Sequence, residues 1–288
     1  MSDQSNQVNK PAVNLLANYF RQPKLFIKLP SHGEYYKEES LDRSQNDEYA
    51  VYAMTAKDEL MFKTPDALMN GQATVEVIKS CIPAIKNPWL MPSIDLDTVL
   101  IAIRIASYGE NMEVSTDCPA CQHRNEYELD LLKYLDHAGE FHYESRLEVN
   151  ELIINLRPYN YKEITQAAIK TFEQQKLIAV VTDETLTESE KVEKFGESFI
   201  RLTELTVDIV VNCIASIETP IGIVNDKGMI KEFMENTSSQ VFNMVNERIS
   251  EMKDLMSLKS QNVKCLECEH EFNVELTMDQ TNFFGVGS

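Results

Sequence analysis

The sequence predicts an α+β chain, mainly α-helical, in which two distant Cys-x-x-Cys knuckles meet as a zinc-ribbon-like module around a helical insertion. Three observations lead there. Cys118-Pro119-Ala120-Cys121 is followed by Gln122-His123, and Cys265-Leu266-Glu267-Cys268 by Glu269-His270, so one short phrase occurs twice. Each phrase runs into alternating strand-like residues, Tyr127 and Leu129 after the first, Phe272, Val274 and Leu276 after the second. Apolar residues at helical spacing fill much of the remaining chain.

Two thiolates three residues apart grip one metal from a tight turn, and two such turns supply the four sulfurs of tetrahedral zinc. Cys118, Cys121, Cys265 and Cys268 are therefore expected to hold one structural zinc per chain. Four sulfurs close the coordination sphere, so the metal is read as a staple and not as a catalyst. His123 and His270 fall just past the knuckle turns, and either replacing a cysteine as ligand is the disfavoured alternative. Cys81 and Cys213 sit among apolar neighbours and read as small core residues. Six cysteines, four of them in knuckles, fit a reducing compartment better than a disulfide scaffold.

Taken in order, residues 1–24 read as a polar arm with an amphipathic turn at Leu15, Leu16, Tyr19 and Phe20. Leu25–Leu29 is a short strand ending at the turn Pro30-Ser31-His32-Gly33, and Tyr49–Met54 is a second strand. Thr55 caps a helix over Lys57–Phe62, and Thr64-Pro65-Asp66 opens another that Gly71 stops. Ala73–Ile85 carries Val77, Ile78, Cys81 and Ile82 on one face. Asp95–Tyr108 is apolar nearly all round and forms the centre of the N-terminal domain. Residues 25–135 thus make an α-rich domain ending in the first zinc knuckle.

Residues 136–260 are read as an insertion of hairpins and helices. Phe141–Val149 and Leu152–Leu156 form a hairpin around Asn150-Glu151. Asn160 with Glu163, and Thr187 with Glu190, have capping-box spacing, so each opens a helix. The helix from Glu188 to Ile217 is expected to pack on a partner spanning Tyr161–Val181, with a coiled-coil seam as the alternative. Ile221–Val224 and Asn225–Gly228 read as a turn or hairpin, and Ser238 caps a last helix carrying Val241, Val245, Ile249 and Met252. Residues 261–288 hold the second zinc knuckle and a tail.

Two places in this pattern suggest contact with other proteins. Phe195, Phe199 and Leu202 form an apolar stripe longer than its intramolecular partner can cover. Phe283 and Phe284 follow the last expected strand and either fold back or anchor in a neighbour.

Charge narrows the function classes. There are 46 acids against 27 bases, a net charge of −19, which opposes binding to a phosphate backbone. The knuckle flanks are themselves acidic (Glu113, Asp117, Glu126, Glu128; Glu267, Glu269, Glu271, Glu275), so a zinc-ribbon nucleic-acid binder is the disfavoured alternative. No apolar run is long enough to span a membrane, and the first residues lack the pattern of a secretory signal. No Gly-rich phosphate loop, His-Glu-x-x-His or Gly-x-Ser-x-Gly motif is present, so no enzyme activity is expected.

An ordered set of phrases carries a resemblance. Met54-Thr-Ala-Lys-Asp-Glu59, Thr64-Pro-Asp-Ala-Leu68, Asn70-Gly71 and Val77-Ile-Lys-Ser-Cys-Ile82 precede Ile94-Asp-Leu-Asp97, Leu100-Ile-Ala-Ile-Arg104, Tyr108-Gly109 and Cys118-Pro-Ala-Cys121. With Leu29-Pro-Ser-His-Gly33, Tyr35-Tyr36 and Phe283-Phe-Gly285, the succession resembles the baseplate hub and hub-assembly proteins of T4-like contractile-tailed phages. That resemblance implies a non-enzymatic part in virus tail assembly, made in the host cytoplasm and located at the tail baseplate. It implies partners among baseplate, hub and tape-measure proteins. A transient assembly chaperone that leaves before the tail is complete is the alternative within the same setting.

Overall fold

Alternating apolar residues form the first strands, and a computed structural model describes residues 20–63, 71–135, 144–166, 187–255 and 260–274, with Leu16 and Ala168. Strand β1 (Pro23–Ile27) pairs antiparallel with β2 (Tyr49–Tyr52), turning Ile27, Tyr49 and Val51 into the core. Helix α1 (Ala56–Phe62) opens on a reciprocal capping box between Thr55 and Asp58, which satisfies two otherwise orphan N–H groups. The buried Asp58 carboxylate also accepts from Ser80 Oγ at 2.9 Å and lies 3.6 Å from the Arg21 guanidinium.

Helix α2 (Gln72–Cys81) buries Val77, Ile78 and Cys81. It stops earlier than the expected Ile85 because Ile82 precedes Pro83, whose ring disfavours a helical residue before it; Ile82 sits at φ −129°. The expected cap at Thr64-Pro65-Asp66 lies outside the described residues. Helix α3 (Leu96–Tyr108) buries Val99 to Ile103 in succession, as its all-round apolar sequence requires, and ends at Gly109 with φ 97°.

Asp95 precedes α3 but does not cap it. Its carboxylate is fully buried and accepts from Ser31 N–H at 2.8 Å, Ser31 Oγ at 2.6 Å and Tyr36 Oη at 3.0 Å. It therefore ties the turn after β1 to the start of the central helix. Burial pushes its pKa up to about 6, although the Ser31 and Tyr36 donors hold it down.

Beyond α3 the chain forms a long hairpin, β3 (Asn111–Asp117) and β4 (Arg124–Asp130), then a short helix α4 (Leu132–Leu135). Leu129 and Leu131 root the hairpin base in the same core as β1, β2, α2 and α3. A second core gathers on a four-stranded antiparallel sheet in the order β5 (Arg146–Val149), β6 (Leu152–Leu156), β7 (Ile214–Thr219), β8 (Gly222–Val224). Asn150, at φ 54°, makes the β5–β6 turn. Helices α5 (Glu188–Cys213), α6 (Lys227–Asn236) and α7 (Ser239–Leu255) supply Val210, Ile230, Met234, Val245 and Met252 to that core. The cores meet where Ser93 N–H donates to Tyr159 O at 2.7 Å and Trp89 stacks on Tyr161. The Asn160–Glu163 box is made in both directions, at 2.9 and 3.0 Å.

Several expectations need correction. The chain is not mainly helical: among the described residues the helices share the fold with ten strands in four sheets. Two local reasons stand out. The helix expected to reach Ile217 ends at Cys213, because Ile214 and Ile217 pair with Leu156 and Ile154 of β6 across a shift in register that brings both into the second core. Lys227 Nζ then donates to the freed carbonyls of Val211 and Ile214. Asn225–Gly228 is not a hairpin turn; Asp226 caps α6, accepting from Met229 N–H at 2.9 Å. The expected partner helix for α5 lies largely outside the described residues.

The zinc-ribbon-like module is also overturned. Hairpin β9 (Gln261–Lys264) and β10 (Glu271–Val274) stays a two-stranded sheet of its own, and so does β3–β4. The apolar side of β3–β4 is committed to the first core through Leu129, Met112 and Val114.

The Asp95 knot generates a stability test. Asp95→Ala leaves three buried donors without their acceptor and is expected to cost about 3 kcal/mol in denaturant unfolding. Because the folded pKa lies above the ordinary value near 4, wild-type stability should fall as pH rises from about 4 to about 6 relative to Asp95→Asn, which does not titrate. Parallel pH profiles for the two proteins would contradict this assignment.

Candidate metal centre

The two knuckles are built alike, bond for bond. In the first, Gln122 N–H donates to Cys118 O at 2.8 Å and Cys118 N–H to His123 O at 2.9 Å. In the second, Glu269 N–H donates to Cys265 O at 3.1 Å and Cys265 N–H to His270 O at 2.9 Å. Gln122 and Glu269 both take φ 58°, the left-handed conformation that turns the chain back under its own cysteine pair. The repeated phrase in the sequence is therefore a repeated backbone device.

Folding brings the devices face to face. Cys118 Sγ lies 3.7 Å from Cys268 Sγ, and Cys121 Sγ lies 3.7 Å from Cys265 Sγ. All four sulfurs fall within 4.8 Å of one another, a group that could hold a metal ion. Cys118 and Cys265 are buried, whereas Cys121 and Cys268 face outward. Neither histidine belongs to this group among the described residues; the His270 ring instead stacks on Phe272. Cys81 and Cys213 are outside this group; both are fully buried, Cys81 in the first core, and burial pushes their thiols up to about 12 and about 11. That matches their reading as core residues.

Backbone N–H groups of the second knuckle favour a thiolate. Donors from Cys268 and Glu267, joined by the Asn125 side chain, bring Cys265 down to about 6. Cys121 is held down by the His123 N–H, but its neighbouring sulfurs Cys268, Cys265 and Cys118 push it up to about 12. Cys268 is raised as well: the His270 N–H and Cys121 hold it down, but desolvation and the Cys118 and Cys265 sulfurs push it up. Crowded sulfurs of this kind hold protons between them, and a soft cation is the partner that replaces those protons.

Three further contacts join the hairpins. Tyr127 Oη donates to Lys264 O at 3.0 Å, and the Tyr127 and Phe272 rings meet edge to face with centroids 6.2 Å apart. Asn125 is buried, its amide donating to His123 O at 2.8 Å while its Oδ1 accepts from Leu266 N–H at 2.9 Å. Sequence reasoning missed Asn125. Only its place on the inward side of an otherwise acidic strand hints at it. The acidic flanks are exposed as expected at Glu113, Asp117, Glu126, Glu128, Glu267, Glu269 and Glu271.

The other residues singled out in the sequence are not brought to this site. Phe195, Phe199 and Leu202 fall within α5, but their side chains lie outside the described residues, as do Phe283 and Phe284 entirely. No helix among the described residues is long and apolar enough to cross a membrane.

Residues 23–285 match the family profile described as T4 bacteriophage base plate protein. The chain belongs to that family. The match runs from β1 past the second knuckle and so contains both cysteine pairs. No characterised protein and no solved structure gave a match. Membership places the chain among phage tail baseplate proteins, whose partners are other phage structural proteins.

The left-handed turn residues give a direct test of the knuckle geometry. Gln122→Val and Glu269→Val each force a β-branched residue into positive φ. Each should lower stability by about 1–2 kcal/mol relative to the corresponding Gly variant. Equal stability of Val and Gly variants at both positions would count against the turn geometry.

Proposed function

We propose that this baseplate-family chain is a non-enzymatic hub subunit or hub-assembly factor, acting through protein contacts and stiffened by one structural zinc. The observation that carries the reading is the family match over residues 23–285 together with the four-sulfur cluster inside it. Zinc–sulfur bonds of about 2.3 Å in a tetrahedron set neighbouring sulfurs about 3.8 Å apart. The 3.7 Å separations of Cys118–Cys268 and Cys121–Cys265 suit that ion. Bound there, zinc supplies charge neutralisation and a rigid link between segments remote in sequence. Four sulfurs leave no open coordination position, which supports a structural role over a catalytic one.

The chain is read as a polar arm (1–24), an N-terminal domain (25–135), an insertion (136–260) and a returning C-terminal knuckle with its tail (261–288). Zinc at Cys118, Cys121, Cys265 and Cys268 would close the insertion at its base. Phe195, Phe199, Leu202, Phe283 and Phe284 are proposed to meet neighbouring hub, baseplate or tape-measure proteins. The acidic surface around the knuckles supports partners with basic patches and gives no footing for nucleic acid. Assembly would take place in the host cytoplasm.

Quantitative mass spectrometry of assembly intermediates and finished tails tests this role. Fixed stoichiometry in both marks a subunit, and presence in intermediates alone marks an assembly factor. Absence from both contradicts the proposal. Cys118→Ser and Cys265→Ser should each lose the bound zinc and melt at least about 5 °C lower, read by elemental analysis and thermal denaturation. Unchanged melting would contradict the structural role of the metal.

A further inference from the structure

We infer that Asn125 is the positioning residue that locks the second knuckle onto the first, an assignment that rests on the four-cysteine metal reading. The knuckles share their backbone bonds, but they differ on the strand that leaves each turn. Seven residues past its first cysteine, the first knuckle carries Asn125, whereas the second carries Phe272. Asn125 is 1% exposed on a hairpin whose neighbours Arg124 and Glu126 face solvent. A primary amide is kept out of water there because both of its ends are used. Its N–H donates to His123 O, the same carbonyl that closes the first knuckle on Cys118. Its oxygen accepts from Leu266 N–H, between the metal-facing Cys265 and Cys268.

Leu266 cannot be held by its side chain, which is 74% exposed at the tip of the second knuckle. The backbone bond to Asn125 is the polar link that fixes this tip against the first hairpin. Only a side chain with a donor and an acceptor on one planar head can reach both carbonyl and N–H in this way. Aspartate would keep the acceptor, lose the donor and add charge beside four sulfurs. Leucine would keep the volume and lose both. Groups that orient metal-binding residues without touching the metal commonly set affinity by roughly 10–100-fold.

Amide hydrogen exchange at Leu266 and zinc release to a chelator, measured on the full chain, test the assignment together. Asn125→Leu should exchange the Leu266 amide at least about tenfold faster than the parent and release zinc about 10–100-fold faster. Asn125→Asp should keep Leu266 protected yet still release zinc faster, and it serves where the leucine variant folds poorly. Parent-like exchange in Asn125→Leu overturns the assignment, as does parent-like zinc release in both variants. Comparing exchange at Leu266 in parent and Asn125→Leu chains both stripped of metal reads the latch without the ion, so a parent chain without zinc would defeat the metal reading while that comparison still decides the latch.

Discussion

Four cysteine sulfurs within 4.8 Å cannot all carry charge unless something positive joins them. They must share protons or share a cation, and the rest of the architecture depends on which. With protons alone, the second knuckle is held to the first by Asn125, Tyr127 and a ring contact. With a tetrahedral ion, the same sulfurs become the strongest link between two segments far apart in sequence. The backbone donors already directed at Cys265 favour the second arrangement, since they stabilise a ligand in its binding form.

The site gets its position from only one side. Helix α3 is buried nearly all round, Gly109 turns it into β3, and Leu129 and Leu131 hold the hairpin base in the first core. The first knuckle therefore stands at the end of a rooted arm. The second arrives on β9–β10, whose pairing is confined to its own two strands. A rooted receptor and an incoming short hairpin need a specific joint, and the four-sulfur cluster with its polar latch occupies that place. Such a joint would hold the returning β9–β10 hairpin to the first core.

Much of this was legible in residues whose chemistry acts locally. Capping boxes at Thr55–Asp58 and Asn160–Glu163 need only four residues each, and the repeated knuckle phrase needs six. What misled was competition between local and distant partners. Ile214 and Ile217 continue a helical pattern by themselves, and only the presence of β6 makes a strand the better burial. Strand-like residues beside each knuckle suggested one merged module, but each hairpin completes its backbone ladder within itself, and only side chains such as Tyr127 cross between them. Asn125 is barely marked in the sequence because the partner that sets its role, Leu266 N–H, is a backbone atom on a distant segment that meets it only after folding.

X-ray absorption at the zinc edge, on the full chain purified without chelator, addresses the central claim most directly. The account predicts one zinc per chain with four sulfur neighbours at about 2.3 Å and no nitrogen or oxygen in the first shell. An absent zinc signal, or a first shell containing water or imidazole, would contradict it.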